Sequence, residues 1–254
     1  MKKLLKYELL YLRKTQKFTV FIGLFLFFSI ISPLTAKYIK EIISFFLAGT
    51  DFALPIPDPT VYTAYEQYTS DLFETIFLVI LFMSVSHFIH DKTKGLLPLI
   101  FSKPISRNKY LISKYLAFQI LLLISLILGY LIFTYYTYAL FGEVLFFRGL
   151  VMMGLYYIYL VFISAVAMLF SLIFKSYLTA ILPTFGVYIL FAIFSALGEY
   201  GLFQYLPGMV TNNIVAILYE IVDISQILGT LTITLALTFI CFYGSLRKIN
   251  TLEI

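Results

Sequence analysis

The chain has 254 residues, of which 61% are hydrophobic and 12% are Asp, Glu, Lys or Arg, and its mean hydropathy is +0.97. Soluble domains hold roughly 45–50% apolar and about 25% charged residues, so this is a membrane protein with no stretch free to form a soluble enzyme domain on an anchor. Its net charge of +5 follows from topology and attraction to lipid and implies no nucleic-acid binding; its single cysteine, Cys241, lies in an apolar run, which excludes a disulfide framework or a zinc cluster.

Residues 1–17 are basic. On a helical wheel Lys3, Lys6, Arg13 and Lys17 share one face, with Leu5, Leu9 and Leu12 opposite, the pattern of a helix lying in the membrane interface. Glu8 and Leu10 interrupt that pattern. A secretory signal begins similarly, but the apolar run here exceeds its usual length and no small-residue cleavage site follows.

Six apolar windows follow, at 18–36, 72–90, 115–138, 150–174, 178–197 and 227–246. Each is close to the roughly 20 residues that a helix needs to cross the hydrocarbon core, and their continuous apolarity differs from the alternation of barrel strands. Pro33 and Pro183 fall inside spans, where they are expected to kink them, and Lys175-Ser176 alone separates spans four and five, which predicts a tight hairpin. Tyrosines gather near the expected span ends, at Tyr135, Tyr136, Tyr138, Tyr156, Tyr157 and Tyr159, either as interfacial rings or as simple lipid-facing bulk.

Lys and Arg counts give the orientation. Residues 1–17 and 91–114 carry six each, and with Lys175, Arg247 and Lys248 these alternate segments hold fifteen of the eighteen. The opposite side holds Lys37, Lys40 and Arg148 and most of the acids, including Asp51 and Glu199. By the positive-inside rule both termini are cytoplasmic.

Two external segments exceed hairpin length. In 37–71, an apolar stretch from Ile39 to Leu47 precedes the bend Pro55-Ile56-Pro57-Asp58-Pro59, after which Tyr65, Tyr68 and Leu72 recur at helical spacing; two short external helices around a bend are expected. In 198–226, Gly198, Gly201, Pro207 and Gly208 lead into the apolar-periodic Val210 to Val222, which predicts a re-entrant or surface-lying helix; the alternative, a seventh span, would place the C-terminus outside against the charge count. The fold class is thus an all-α integral membrane protein with six transmembrane helices, an N-terminal interfacial helix, a cytoplasmic helix between spans two and three, and external helices before the last span.

The segment 91–114 is longer than a connecting turn. It combines Gly95, a short apolar helix over Leu96 to Phe101, a Pro-containing stop and a basic re-entry. A compact apolar knob ringed by positive charge suits a groove on a soluble partner.

Here the sequence resembles the membrane subunits of type-2 ABC exporters, which carry after the second span an acid, basic residues, Gly, a Leu-rich helix, Ser or Thr, one residue, Pro, a small apolar residue, Ser, Arg and then a Lys opening span three. The matching residues are Asp91, Gly95, Leu96, Leu97, Ser102, Pro104, Ile105, Ser106, Arg107 and Lys114. The departures are Lys94 beside the glycine, Asp91 in place of the more frequent Glu, and Pro98, which interrupts the Leu-rich helix. The resemblance covers the whole layout of the chain. It implies a coupling helix seated on a cytoplasmic ATPase, with Asp91, Gly95, Leu96, Leu97, Leu99, Ile100, Ser102, Pro104 and Arg107 at the docking site and the interfacial helix close by. It implies two ATPase subunits carrying ATP and Mg, a second and identical membrane subunit, and residence in a bacterial cell membrane. The chain itself has no G-x-x-x-x-G-K-[ST] motif and binds no cofactor by this reading. Cargo in the family includes peptides, lipids, polysaccharides and drugs; an amphipathic or antimicrobial peptide, or another lipophilic compound, is the expectation for a small six-span subunit.

Charges inside spans are functional candidates. Glu74 lies two residues inside the external end of its window, as a snorkelling acid or a pathway residue, and His87, His90 and Asp91 share a helical face that suits helix-end capping better than a metal. The alternatives are an ion-coupled secondary transporter, which needs intramembrane acids or matched broken helices, and a non-transporting immunity or sensor protein. Small-residue steps at Ala167 to Ser171 and Ala192 to Ala196 offer either dimer contacts or internal packing.

Overall fold

A computed structural model describes residues 1–46, 58–198 and 201–252. Among these residues there is no strand, and six helices are long and apolar enough to cross a bilayer. The bend Pro55-Ile56-Pro57, Asp51 and Glu199 lie outside the described residues.

The short α1 (Lys2–Lys14) ends where Gln16 takes a left-handed conformation, φ 59°, and the first span, α2 (Lys17–Lys37), begins. Lys17 therefore belongs to the span and not to the interfacial helix; its ammonium points to Ser86 Oγ at 3.5 Å. Lys3, Lys6 and Arg13 are exposed, whereas Leu12 and Glu8 face inward. After α2 comes α3 (Ile39–Phe46).

The second span departs from its window. Instead of a separate external helix followed by a crossing from Leu72, a single helical rod runs Val61–Thr93, built from α4 (Val61–Asp71), a π-helical segment (Leu72–Ile76) and α5 (Phe77–Thr93). The widened turn is stabilised from outside the helix, because the Tyr156 hydroxyl donates to the Leu72 carbonyl at 2.7 Å. Tyr65 and Tyr68 on α4 are fully buried, Tyr68 stacked on Phe133 at 4.2 Å. Aromatic packing, not lipid, thus covers this first half of the rod.

Short α6 (Leu97–Phe101) precedes α7 (Arg107–Phe141), α8 (Phe146–Ile173) and α9 (Tyr177–Ala196). The Lys175-Ser176 connection is a tight hairpin in which Ser176 caps α9, its hydroxyl accepting from the Thr179 amide. Pro33 and Pro183 both lie within their helices. The segment before the last span contains α10 (Val210–Leu218). The apolar helical stretch Pro207–Leu218 spans about 18 Å at 1.5 Å per residue, short of the roughly 30 Å hydrocarbon core. Val210, Ile214 and Leu218 are buried where α10 packs against α8. Arg148 fastens α10 by an ion pair with Glu220 and a bond to the Leu218 carbonyl at 3.4 Å. The last span is α11 (Ile224–Asn250), capped by Asp223.

The central helix is α8, packed against α5, α7, α9 and α11. In its most apolar window 67% of residues are buried, against 17% in α9 and in α11, so the latter two leave broad apolar faces outward. Ala167 and Ser171 are fully buried, which makes that step internal packing, while Ala192 and Ala196 are exposed on α9.

Candidate functional site

The basic end of the bundle gathers α1, α6, the end of α5, the start of α7 and the end of α11. The turn that launches α6 is dictated by a glycine. The Leu96 amide bonds back to the Asp91 carbonyl at 2.8 Å and the Gly95 amide to the Lys92 carbonyl at 3.2 Å, the paired bonds that close a helix through a left-handed residue. Gly95 supplies that residue with φ 64°, a conformation that costs an L side chain energy. Pro98 then sits in the first turn of α6, where its missing N–H leaves no bond unmade. It starts the helix and does not interrupt it, contrary to the expectation from sequence.

This places the predicted docking residues on two sides. Leu96 and Leu99 are exposed, Leu99 by 67%, along with Gly95, Ser102 and Pro104. Leu97 points inward, and Ile100 and Arg107 are half-buried. Asp91 is not on the surface at all: its carboxylate accepts from Lys114 Nζ and the Tyr110 hydroxyl, and Lys114 also reaches the Tyr110 oxygen at 3.2 Å. A buried carboxylate and ammonium need such mutual satisfaction. His87 and His90 do not join Asp91 as ligands, and no metal-holding group is found among the described residues; the His87 ring stacks on Phe118 at 5.3 Å.

Two further cations brace the knob to the bundle. Lys92 Nζ donates to the carbonyls of Leu172 and Phe174, both at 2.7 Å, at the end of α8. Arg107 Nη1 donates to the carbonyls of Ile249, Asn250 and Leu252 at 3.1, 3.1 and 2.9 Å, at the end of α11. Both satisfy carbonyls that a helix end leaves open, with charge of the favourable sign. Arg107 also lies over the Phe101 ring, 5.5 Å from its centre, and Phe101 meets Tyr110 edge-on. The knob is therefore tied to spans two, three, four and six at once.

Between α1 and α6 is a cavity of about 450 Å³ lined by Leu4, Tyr7, Glu8, Tyr11, Leu99 and Tyr110 among others. Glu8 is 4% exposed and its Oε2 has no hydrogen-bond partner. Burial raises its pKa, with Asp91 adding to the rise and Lys114 opposing it. Burial, then Asp91 and Glu8, push the Tyr11 hydroxyl up to about 12. The sequence assigns no site role to Glu8, Tyr110 or Lys92. The one signal for Glu8 was the flaw it makes in the amphipathic pattern of α1.

At the far end, Glu74 is exposed and falls in the π-helical segment, well inside the Val61–Thr93 rod and not near its start. With Glu66, Thr69, Ser70 and Thr211 it lines a cavity of about 350 Å³. Glu66 accepts from the Tyr219 hydroxyl at 2.6 Å.

Six apolar spans, with a short apolar helix tied to the bundle between spans two and three, define a polytopic membrane protein. The family model described as ABC-2 family transporter protein matches residues 62–243, and the chain belongs to that family. No individual curated protein matches it.

Proposed function

We propose that this chain is the translocating subunit of an ATP-driven exporter, working as a dimer on two copies of a separate cytoplasmic ATPase that hold ATP and Mg. Both termini and α6 face the cytoplasm in this reading, as the distribution of Lys and Arg requires. The observation that carries it is the mounting of α6: an exposed Leu96–Leu99 surface on a helix whose other side is fixed to four spans by Leu97, Asp91–Lys114, Lys92 and Arg107. A loosely attached loop would yield when pushed, whereas this one moves the span ends with it. Closure of the ATPase pair around nucleotide would drive the handle and tilt spans two and three.

Polar groups inside the bundle are mainly hydroxyls and tyrosines, as at Ser29, Ser84, Ser125, Ser164 and Tyr156. A route between two such subunits, free of fixed charge, would suit amphipathic or lipophilic cargo, and a membrane-active peptide, whose export protects the producing cell, is the cargo we infer. The exposed faces of α9 and α11 are where a second copy or lipid is received. The test is co-purification and nucleotide turnover: the Leu99→Asp variant is expected to fold and insert normally but to lose ATPase binding. Transport by the chain alone on an ion gradient would refute the proposal.

A further inference from the structure

The α1–α6 cavity has features that a plain contact face lacks. Its volume of about 450 Å³ lies in the range of small-ligand sites, which are mainly apolar with a few placed polar groups. Leu4, Leu99 and Ile100 supply the apolar wall, Tyr7, Tyr11 and Tyr110 the aromatic one, and Glu8 the acid. The Glu8 side chain is more than nine-tenths buried, and Oε2 is without a donor.

The nearby cations do not supply one. Lys114 Nζ is engaged by Asp91 and the Tyr110 hydroxyl. Lys17 Nζ is directed to Ser86. Lys3 and Lys103, which also line the cavity, are exposed, and neither bonds to Glu8 among the described residues. A buried acceptor left open is costly, and aromatic faces beside a carboxylate favour a cation on a slender apolar stem.

We propose that this cavity is a receptor for one basic side chain, an arginine or lysine carried by the cytoplasmic ATPase subunit, which enters between α1 and α6 and donates to Glu8. The proposal rests on the docking role of α6 and adds to it a defined charged contact from the N-terminal helix. The stem of the inserted residue lies along Leu4, Leu99 and Ile100, and its head is enclosed by Tyr7, Tyr11 and Tyr110. Docking is then read by two elements at once, so that α1 and α6 are held together when the ATPase is seated.

Two measurements test it. In the first, the protein alone in lipid nanodiscs is titrated with benzamidine, an amidinium on an apolar ring, and with benzamide as its uncharged counterpart, by saturation-transfer NMR. Benzamidine is expected to bind, benzamide to bind more weakly, and Glu8→Gln to weaken benzamidine about tenfold, the loss of one charge-assisted bond, while Lys3→Gln does not weaken it. Equal binding to wild type and Glu8→Gln, or no preference for the cation, overturns the site. In the second, Glu8→Lys is expected to prevent assembly with the ATPase and a single Lys or Arg to Glu change on the ATPase to restore it. Normal assembly of Glu8→Lys, with loss of assembly in Leu99→Asp, overturns this inference and leaves the docking role of α6 standing. Normal assembly of both variants overturns the docking role itself.

Discussion

Asp91 at the end of α5 and Lys114 in the second turn of α7 form a buried ion pair that closes the α6 segment at its base, with side chains 10% and 1% exposed. The pair has the Tyr110 hydroxyl as a third member. Everything from Lys92 to Ser113 is thus a loop closed by one polar cluster, and the orientation of α6 depends on it.

Removing one partner leaves the other buried and uncompensated. Asp91→Leu or Lys114→Met alone is expected to lower stability by about 3–5 kcal/mol, and the two together to recover much of that loss. Thermal unfolding of the four proteins in detergent measures the coupling as a double-mutant cycle. Additive losses would mean that the two residues act independently.

Adjacent leucines on α6 separate structure from contact. Leu97→Asp places a carboxylate in a buried position and is expected to destabilise the protein by several kcal/mol, on the order of 3. Leu99→Asp, at an exposed position, is expected to shift the melting temperature little and to act only on ATPase binding. Gly95→Ala forces a side chain to φ 64° and should cost about 1–2 kcal/mol, visible in melting of the purified protein.

Lys92 and Arg107 cap the ends of α8 and α11 from either side of α6. Arg107→Gln is expected to raise amide exchange over residues 246–252 about tenfold, the loss of a charged hydrogen-bond donor, and Lys92→Met to do the same around Leu172–Phe174. Hydrogen-exchange mass spectrometry reads both. Unchanged protection at these ends would remove the mechanical link between α6 and spans four and six.

Glu8 gives the basal polar cluster a pH dependence of known sign. Its folded pKa is raised above the ordinary value of 4.5, chiefly by burial. The folded protein therefore holds this proton more tightly than the unfolded chain, so the contribution is complete below 4.5 and is lost as pH rises through the raised folded value. Glu8→Gln is expected to remove that fall in stability, leaving a flatter melting profile from the acid side to neutral pH. An identical profile in wild type and Glu8→Gln would show that Glu8 stays ionised in the fold.

Much of the architecture was written in local chemistry. The apolar runs locate six spans because lipid rewards continuous apolarity, and Gly95 locates the turn before α6 because few other residues accept its backbone angle. What sequence windows misplaced is what neighbouring helices, and not lipid, bury. Tyr65, Tyr68 and Thr69 are too polar for a hydropathy window, yet they pack inside the bundle, so the rod begins at Val61 and Glu74 lies well within it. The carbonyls that Lys92 and Arg107 reach at Leu172 and Ile249 stand 80 and 142 residues away in the chain, beyond any local pattern. Pro98 shows the opposite limit: its residue type was informative, but its effect depended on which turn of the helix it occupied.

The most direct test is ATP turnover by the partner ATPase, reconstituted in liposomes with the wild-type chain or with Leu99→Asp. The mounting of α6 predicts turnover well above that of the free ATPase with wild type, falling to the free level with Leu99→Asp at unchanged insertion and melting. Equal turnover with both chains would contradict the account, because the exposed tip of α6 would then have no part in the contact.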